Sequence, residues 1–322
     1  MLSADMGTRV VALANQKGGV GKTTTAINLA ACLTALRKHV LLVDLDPQAN
    51  TTSGFGLEKQ KGGSIYHVLI GQETLDSKIK PSAYARLDLV PAEVDLAGAE
   101  IDVARSDNYL HRVQQALSPT VKQGAYDFII IDCPPSLGIL TMNALCAAHE
   151  ILVPMQCEYY ALEGLSVILR LVEELKSSGA NPMLELEGIV MTMYDGRTNL
   201  AQQVVQEVFT HFGDKVYETM IPRSVRLGEA PSHGRPIIDY DPRSTGALAY
   251  KQLGHEFLKR RGMRGREDHA EPQRRPPASD PLPPPDEAEG SDDDTSEIAV
   301  LPPESAPAPN PSAPSSGLPE FY

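Results

Sequence analysis

A chain of 322 residues suits one large domain or two small ones, and 42% hydrophobic residues are enough to build a core. With no tryptophan and only 5% aromatic residues, that core must be mostly aliphatic. The net charge of −13 is carried mainly by the C-terminal end, where Arg266 to Tyr322 hold 13 acidic and 3 basic residues, so it says little about what the folded part binds.

Cys32, Cys133, Cys146 and Cys157 show no C-x-x-C spacing, which excludes the common zinc and redox motifs. In a chain of this size they read as reduced, mostly buried thiols rather than a disulfide framework. No apolar run approaches the length needed to span a bilayer. MLSADMGTR lacks the basic-then-apolar order of a signal peptide, so a cytoplasmic protein is expected.

Taken in chain order, strands and helices alternate. RVVALAN (9–15) is a short apolar strand running into glycines, and TTTAINLAACLTALR reads as the helix that follows. HVLLVDLD (39–46) is a second buried strand, LDLVPA (87–92) a weaker one, and YDFIIIDCPP (126–135) the clearest. EILVPMQ (150–156) and LEGIVMTMYD (186–195) follow, and KVYETMIP (215–222) reads as the last strand. In YALEGLSVILRLVEELK, Leu162, Leu165, Ile168, Leu169, Val172 and Leu175 recur at helical steps. Near-continuous apolar strands separated by helices predict an α/β fold, a mostly parallel twisted sheet with helices on both faces. Fourteen of the 26 prolines follow Arg266, among acidic runs such as DPLPPPDEAEGSDDD. Such a segment buries too little apolar surface to offset its ordering entropy. The predicted organisation is a folded domain over 1–265 and a disordered tail over 266–322.

NQKGGVGKTTT (15–25) carries the chemistry. A strand, a glycine-rich turn and a helix N-terminus form an anion site, with backbone N–H groups pointing inward and a favourable dipole. Gly18, Gly19, Val20, Gly21, Lys22, Thr23 and Thr24 span it. Lys22 is expected to reach the β and γ phosphates, and the Thr23 hydroxyl to hold Mg²⁺. Asp132 ends a buried strand, as a Walker B carboxylate acting on the Mg²⁺ shell would. Asp44 and Asp46 end another, two residues apart and therefore on one face of an ideal strand. The first glycine of an ordinary phosphate loop would fall at residue 16, which is Gln, and Lys17 adds a second lysine. Residue chemistry alone leaves Lys17 as either a solvated charge or a ligand for a phosphate outside its own subunit.

KGGVGKTT resembles the deviant Walker A motif of the ParA/MinD ATPases. VLLVDLDPQAN, IIIDCPPSLG, PMQCEYYALEGL, MYDGRTNL and IPRSVRLGEAPSHGRPI resemble the chromosomal ParA (Soj) branch, over roughly residues 8 to 262. The resemblance implies a P-loop ATPase that uses ATP and Mg²⁺, and an ATP-dependent homodimer in which Lys17 crosses to the nucleotide of the facing subunit. It further implies that Asp46 positions the attacking water, that Asp44 lies near the Mg²⁺ shell, and that Pro222 and Arg223 lie against the adenine. Arg197 and Arg226 resemble the family's DNA-contacting arginines. The implied role is DNA segregation. The dimer binds DNA without sequence preference on the nucleoid, and a ParB-type centromere-binding partner stimulates a slow ATPase.

Two other readings share the scaffold. A MinD-like membrane-cycling ATPase would end in a basic amphipathic helix. Here the chain ends in an acidic stretch, and Leu253, Phe257 and Leu258 suit KQLGHEFLKRRGMR to packing on the sheet, so no membrane partner is expected. An iron–sulfur or biosynthetic enzyme lacks a second cysteine at a credible spacing from Cys133. A ParA-like positioner of another cargo keeps the same core. The terminal GLPEFY is a candidate docking peptide for a polar or division protein.

Overall fold

The computed structural model describes residues 7–159 and 161–263. The acidic, proline-rich stretch expected to be disordered, with its GLPEFY terminus, lies outside the described residues.

Among the described residues seven strands form one sheet: β1 (Arg9–Leu13), β2 (Val40–Asp44), β3 (Lys80–Pro81), β4 (Leu87–Val90), β5 (Phe128–Asp132), β6 (Glu150–Gln156) and β7 (Glu185–Thr192). Their order is β3-β4-β2-β5-β1-β6-β7. All pairings are parallel except that of the two-residue edge strand β3 with β4. The sheet is therefore mostly parallel, as its Val-, Ile- and Leu-rich runs predict. The sequence carried no usable signal for β3, whose exposed Lys-Pro pair suits an edge.

Period-two alternation divides the strand side chains between two cores. Val10 and Ala12 face one, Val11 and Leu13 the other. The first core is covered by α3 (Tyr66–Leu69), α4 (Leu96–Ala104), α5 (Arg112–Gln123), α6 (Ile139–Ala147), α7 (Ala161–Ser177) and α8 (Asn199–Phe212). The second is covered by α1 (Lys22–Ala35), with the short α2 (Asn50–Gly54) against it, and by α9 (Val225–Glu229), α10 (Ile237–Tyr240) and α11 (Thr245–Arg260). In α11, Leu253, Phe257 and Leu258 are buried, with the Phe257 ring set edge-on to Phe128 at 5.2 Å. The apolar residues of the basic 251–264 segment thus pack on the sheet, as expected. At the end of α11, Arg261 stacks on Phe257, 3.6 Å from the ring centre, and pairs with Glu150 and Glu187.

One expected strand is absent. KVYETMIP contributes only isolated bridges, Val216 to Ile189 and Pro222 to Tyr194. Between them the Glu218 and Thr219 N–H groups donate to the Glu256 carboxylate on α11, at 2.8 and 2.9 Å, instead of to β7. Tyr217, fully buried, turns its ring under β7 at Gly188. A Cβ at Gly188 would lie 2.7 Å from that ring and 2.8 Å from the Lys215 carbonyl oxygen. Alternating hydrophobicity reads as a strand whether backbone donors go to a neighbouring strand or to a distant carboxylate.

Gly188→Ala should therefore destabilise the fold by about 1–3 kcal/mol, seen as a lower urea midpoint at unchanged slope. An unchanged midpoint would mean that the 215–219 segment yields freely.

Candidate nucleotide-binding site

The loop after β1 lies where the chain order reverses, since β1 sits between β5 on one side and β6 on the other. Open parallel sheets place ligands at such switch points, beyond the strand C-termini. Gly19 and Gly21 have φ of 75° and 86°, in the left-handed region that favours glycine. Residue 16 does not adopt that conformation, so Gln16 is tolerated where an ordinary phosphate loop has glycine. Asn15 is buried and organises the turn. Its amide donates to the Pro154 carbonyl at 2.8 Å, and its Oδ1 accepts from the Lys17 N–H at 3.1 Å. Gly21 caps α1 without any side-chain hydrogen bond, leaving the first helical N–H groups directed at the loop. From β7, the Thr192 hydroxyl donates to the Val20 carbonyl at 2.8 Å and ties the far side of the loop to the sheet.

Strand register brings the acidic residues to this rim. Asp132 is level with Leu13 on one side and with Asp44 on the other. Both aspartates are fully buried. Burial raises the pKa of each, and the Asp132 charge raises that of Asp44 further. Asp132 Oδ2 accepts from the hydroxyls of Thr23 at 2.8 Å and Thr51 at 2.7 Å, while its buried Oδ1 has no partner. Asp44 is fully engaged, accepting from the Asp46 N–H (3.2 Å) and from the Thr52 N–H (2.8 Å) and hydroxyl (2.7 Å). Asp46 lies two residues beyond the end of β2, and its Oδ1 accepts from the Gln48 N–H at 2.9 Å. The β2 ladder runs one residue further through the Leu45 N–H, which donates to the Asp132 carbonyl at 3.0 Å, and the turn follows at Pro47 and Gln48, so Asp46 stands between strand and turn.

Lys22 is buried, and its ammonium donates to the Lys17 carbonyl at 3.2 Å. Burial pulls its pKa down, and the charges of Asp132 and Asp46 oppose that shift. A desolvated cation beside an anion cradle, with an orphaned carboxylate oxygen next to a hydroxyl, fits a metal–polyphosphate ligand. Among the described residues no three acidic, His or Cys side chains form a protein-only metal cage. Mg²⁺ keeps waters and takes one or two carboxylates together with substrate phosphates, and the open Asp132 oxygen beside the Thr23 hydroxyl fits that demand. Thr23 and Asp132 could hold such an ion, with Asp44 behind them.

Lys17 is placed differently. Its ammonium pairs with Glu158, which follows β6, and 40% of its side chain stays exposed. Pro222 is half-buried and bridges Tyr194, with the Arg223 N–H bonded to the Tyr194 carbonyl at 3.1 Å. Two loops that bear expected contacts therefore run side by side beyond β7. In one, Arg197 is 89% exposed and grips Asp195 with both Nε (2.8 Å) and a terminal nitrogen (2.6 Å). That grip holds the Asp195 carboxyl down near 2. In the other, Arg226 pairs with Glu229 at 2.9 Å and Asp241 at 3.6 Å.

Sequence reasoning gave no role to Thr51 and Thr52, nor to Asn15, Glu158 and Thr192, although those three fall inside quoted stretches. Single hydroxyls, amides and acids carry no spacing signal, and their partners are up to 172 residues away.

The fold and loop define a P-loop nucleotide-binding protein. A family model described as an AAA domain matches residues 8–186. The sporulation initiation inhibitor protein Soj of Bacillus subtilis is 53% identical over 249 residues, 77% of this chain and 97% of Soj. The chromosome partitioning protein ParA of Myxococcus xanthus is 50% identical over 253 residues, 78% of this chain and 88% of ParA. A crystal structure named cobyrinic acid a,c-diamide synthase from Mycobacterium smegmatis, with bound ADP and magnesium, superposes with a TM-score of 0.68. It is 37% identical and covers 81% of this chain and 97% of its own. The chain belongs to the ParA/Soj family of chromosome-partitioning ATPases.

Because Asp132 is buried with one oxygen unpartnered, a neutral isostere relieves a desolvation penalty in the ligand-free protein. Asp132→Asn, keeping Oδ as acceptor for Thr23 and Thr51, should raise the ligand-free melting temperature by roughly 2–4 °C for each kcal/mol relieved. It should also abolish the further rise that Mg²⁺ and ATP give the parent, as scanning calorimetry would show.

Proposed function

We propose that this chain is an ATP-driven switch for DNA segregation, built from the residues at the rim of the sheet. ATP enters with its phosphates on the Gly18–Thr24 loop and its adenine against Pro222 and Arg223. When bound, Mg²⁺ neutralises phosphate oxygens and orients them for in-line attack. Thr23 and Asp132 hold the ion, Asp44 supports them, Lys22 takes the β and γ oxygens, and Asp46 orients the attacking water. Lys17 completes the site of a second subunit, so hydrolysis is slow in the monomer and requires the homodimer. The dimer binds DNA phosphates through Arg197 and Arg226 and resides on the nucleoid until a ParB-type partner stimulates hydrolysis. We place the domain boundary at residue 265.

The observation that carries this reading is the location of Lys17. Its side chain is half-exposed at the mouth of the loop and paired with Glu158, while Lys22 alone is buried in the cradle. A second lysine held outward is available to another subunit, much as an arginine finger is supplied in trans. Identity of 50–53% to the partitioning proteins, against 37% to the mycobacterial structure named as a synthase, favours segregation over amide synthesis.

The test is binding to a random-sequence DNA duplex with ATP, with ADP, and with ATP for Lys17→Ala. Binding is expected with ATP only, and is lost in Lys17→Ala. Affinity should fall linearly on a log–log salt plot, and each arginine contact removed by Arg197→Ala or Arg226→Ala should lower the slope by roughly 0.9. ATP-dependent dimers that never bind DNA would overturn the segregation role.

A further inference from the structure

Glu158 lies outside the phosphate loop, in the PMQCEYYALEGL stretch at the end of β6, yet it engages the lysine on which dimer formation is proposed to depend. Both of its carboxylate oxygens are committed. One accepts from the Gln156 side-chain amide, the other from the Lys17 ammonium. Its backbone is also fixed, the N–H donating to the Gln156 carbonyl at 2.8 Å and the carbonyl accepting from the Ala161 N–H at 3.0 Å at the start of α7. The Lys17 backbone is held by Asn15 Oδ1, and Asn15 is tied to β6 through Pro154. The two ends of the ion pair are thus mounted on the same strand end, with little ordering left for the pair to supply. A lysine free to swing into solvent would not need such a mount.

We propose that Glu158 is a positioning residue that retains Lys17 in its own subunit until the phosphates of a facing subunit outcompete it. The inference rests on the reading that Lys17 acts in trans. An ion pair with both side chains about 40% exposed is screened by water, so the restraint is modest. It raises the threshold for dimer formation without blocking it, which suits a switch that must stay monomeric when ATP is hydrolysed.

The experiment compares the parent, Glu158→Gln and Lys17→Ala, using sedimentation velocity with ATP for dimerisation and a fluorescent ADP analogue for nucleotide affinity in the monomer. Glutamine keeps the bond to Gln156 while removing the charge. The expected result is dimerisation about two- to fivefold tighter in Glu158→Gln, the range of an exposed ion pair, with ADP affinity unchanged. Unchanged or weaker dimerisation would overturn the restraint. A matching gain in ADP affinity would also overturn it, because a general electrostatic effect on the phosphate site would then account for the change. If Lys17→Ala dimerises with ATP as well as the parent does, the action in trans fails instead, whatever Glu158→Gln does.

Discussion

The site is organised around negative charge buried with too little positive charge to balance it. Asp44 and Asp132 end neighbouring strands in register, both shielded from water, and among the described residues the cation beside them is Lys22, itself destabilised by burial. An arrangement like this costs stability in the empty protein and is relieved by a cationic ligand. The hydroxyls of Thr23 and Thr51 share Asp132 Oδ2, that of Thr52 reaches Asp44 Oδ2, the Asp46 N–H reaches Asp44 Oδ1, and Asp132 Oδ1 is left open. The rest of the architecture keeps this rim rigid: two aliphatic cores clamp the sheet from both faces, and parallel pairing brings the strand C-termini to one edge.

The loops beyond β7 connect that rim to the outer surface by short paths. Thr192 holds the phosphate loop through Val20, and Met193 follows in the left-handed region with φ of 50°. Tyr194 then bonds to the 221–223 segment, and Arg197 lies three residues further on. A change in the loop therefore has few bonds to cross before it reaches either exposed arginine. Each arginine is presented on its own carboxylate, Arg197 on Asp195 and Arg226 on Glu229 and Asp241. Those pairs fix the guanidinium orientation and temper the positive charge of the surface.

Much of the fold was legible because its strands are buried on both faces and read as unbroken aliphatic runs. EILVPMQ forms a strand over its whole length, and FIIID is the centre of the sheet. Where the reading failed, the failure was non-local. KVYETMIP has strand composition, and its Tyr217 and Ile221 N–H groups do donate to the β7 carbonyls of Ile189 and Met191, but Glu256, 37 residues beyond Thr219, takes the Thr219 donor between them.

The sequence by itself determined the nucleotide loop, the acidic strand ends, the alternating α/β order and the family, because each is written in contiguous residues or in fixed spacings. Only the tertiary structure decided which oxygen of Asp132 stays unpaired, which hydroxyls serve it, and where Lys17 rests when no partner is present. Those depend on side chains brought together from strands that are neighbours in space but up to 141 residues apart in the chain. No local pattern encodes such a meeting, since hydrogen bonds and ion pairs are set by the register and packing of the whole sheet.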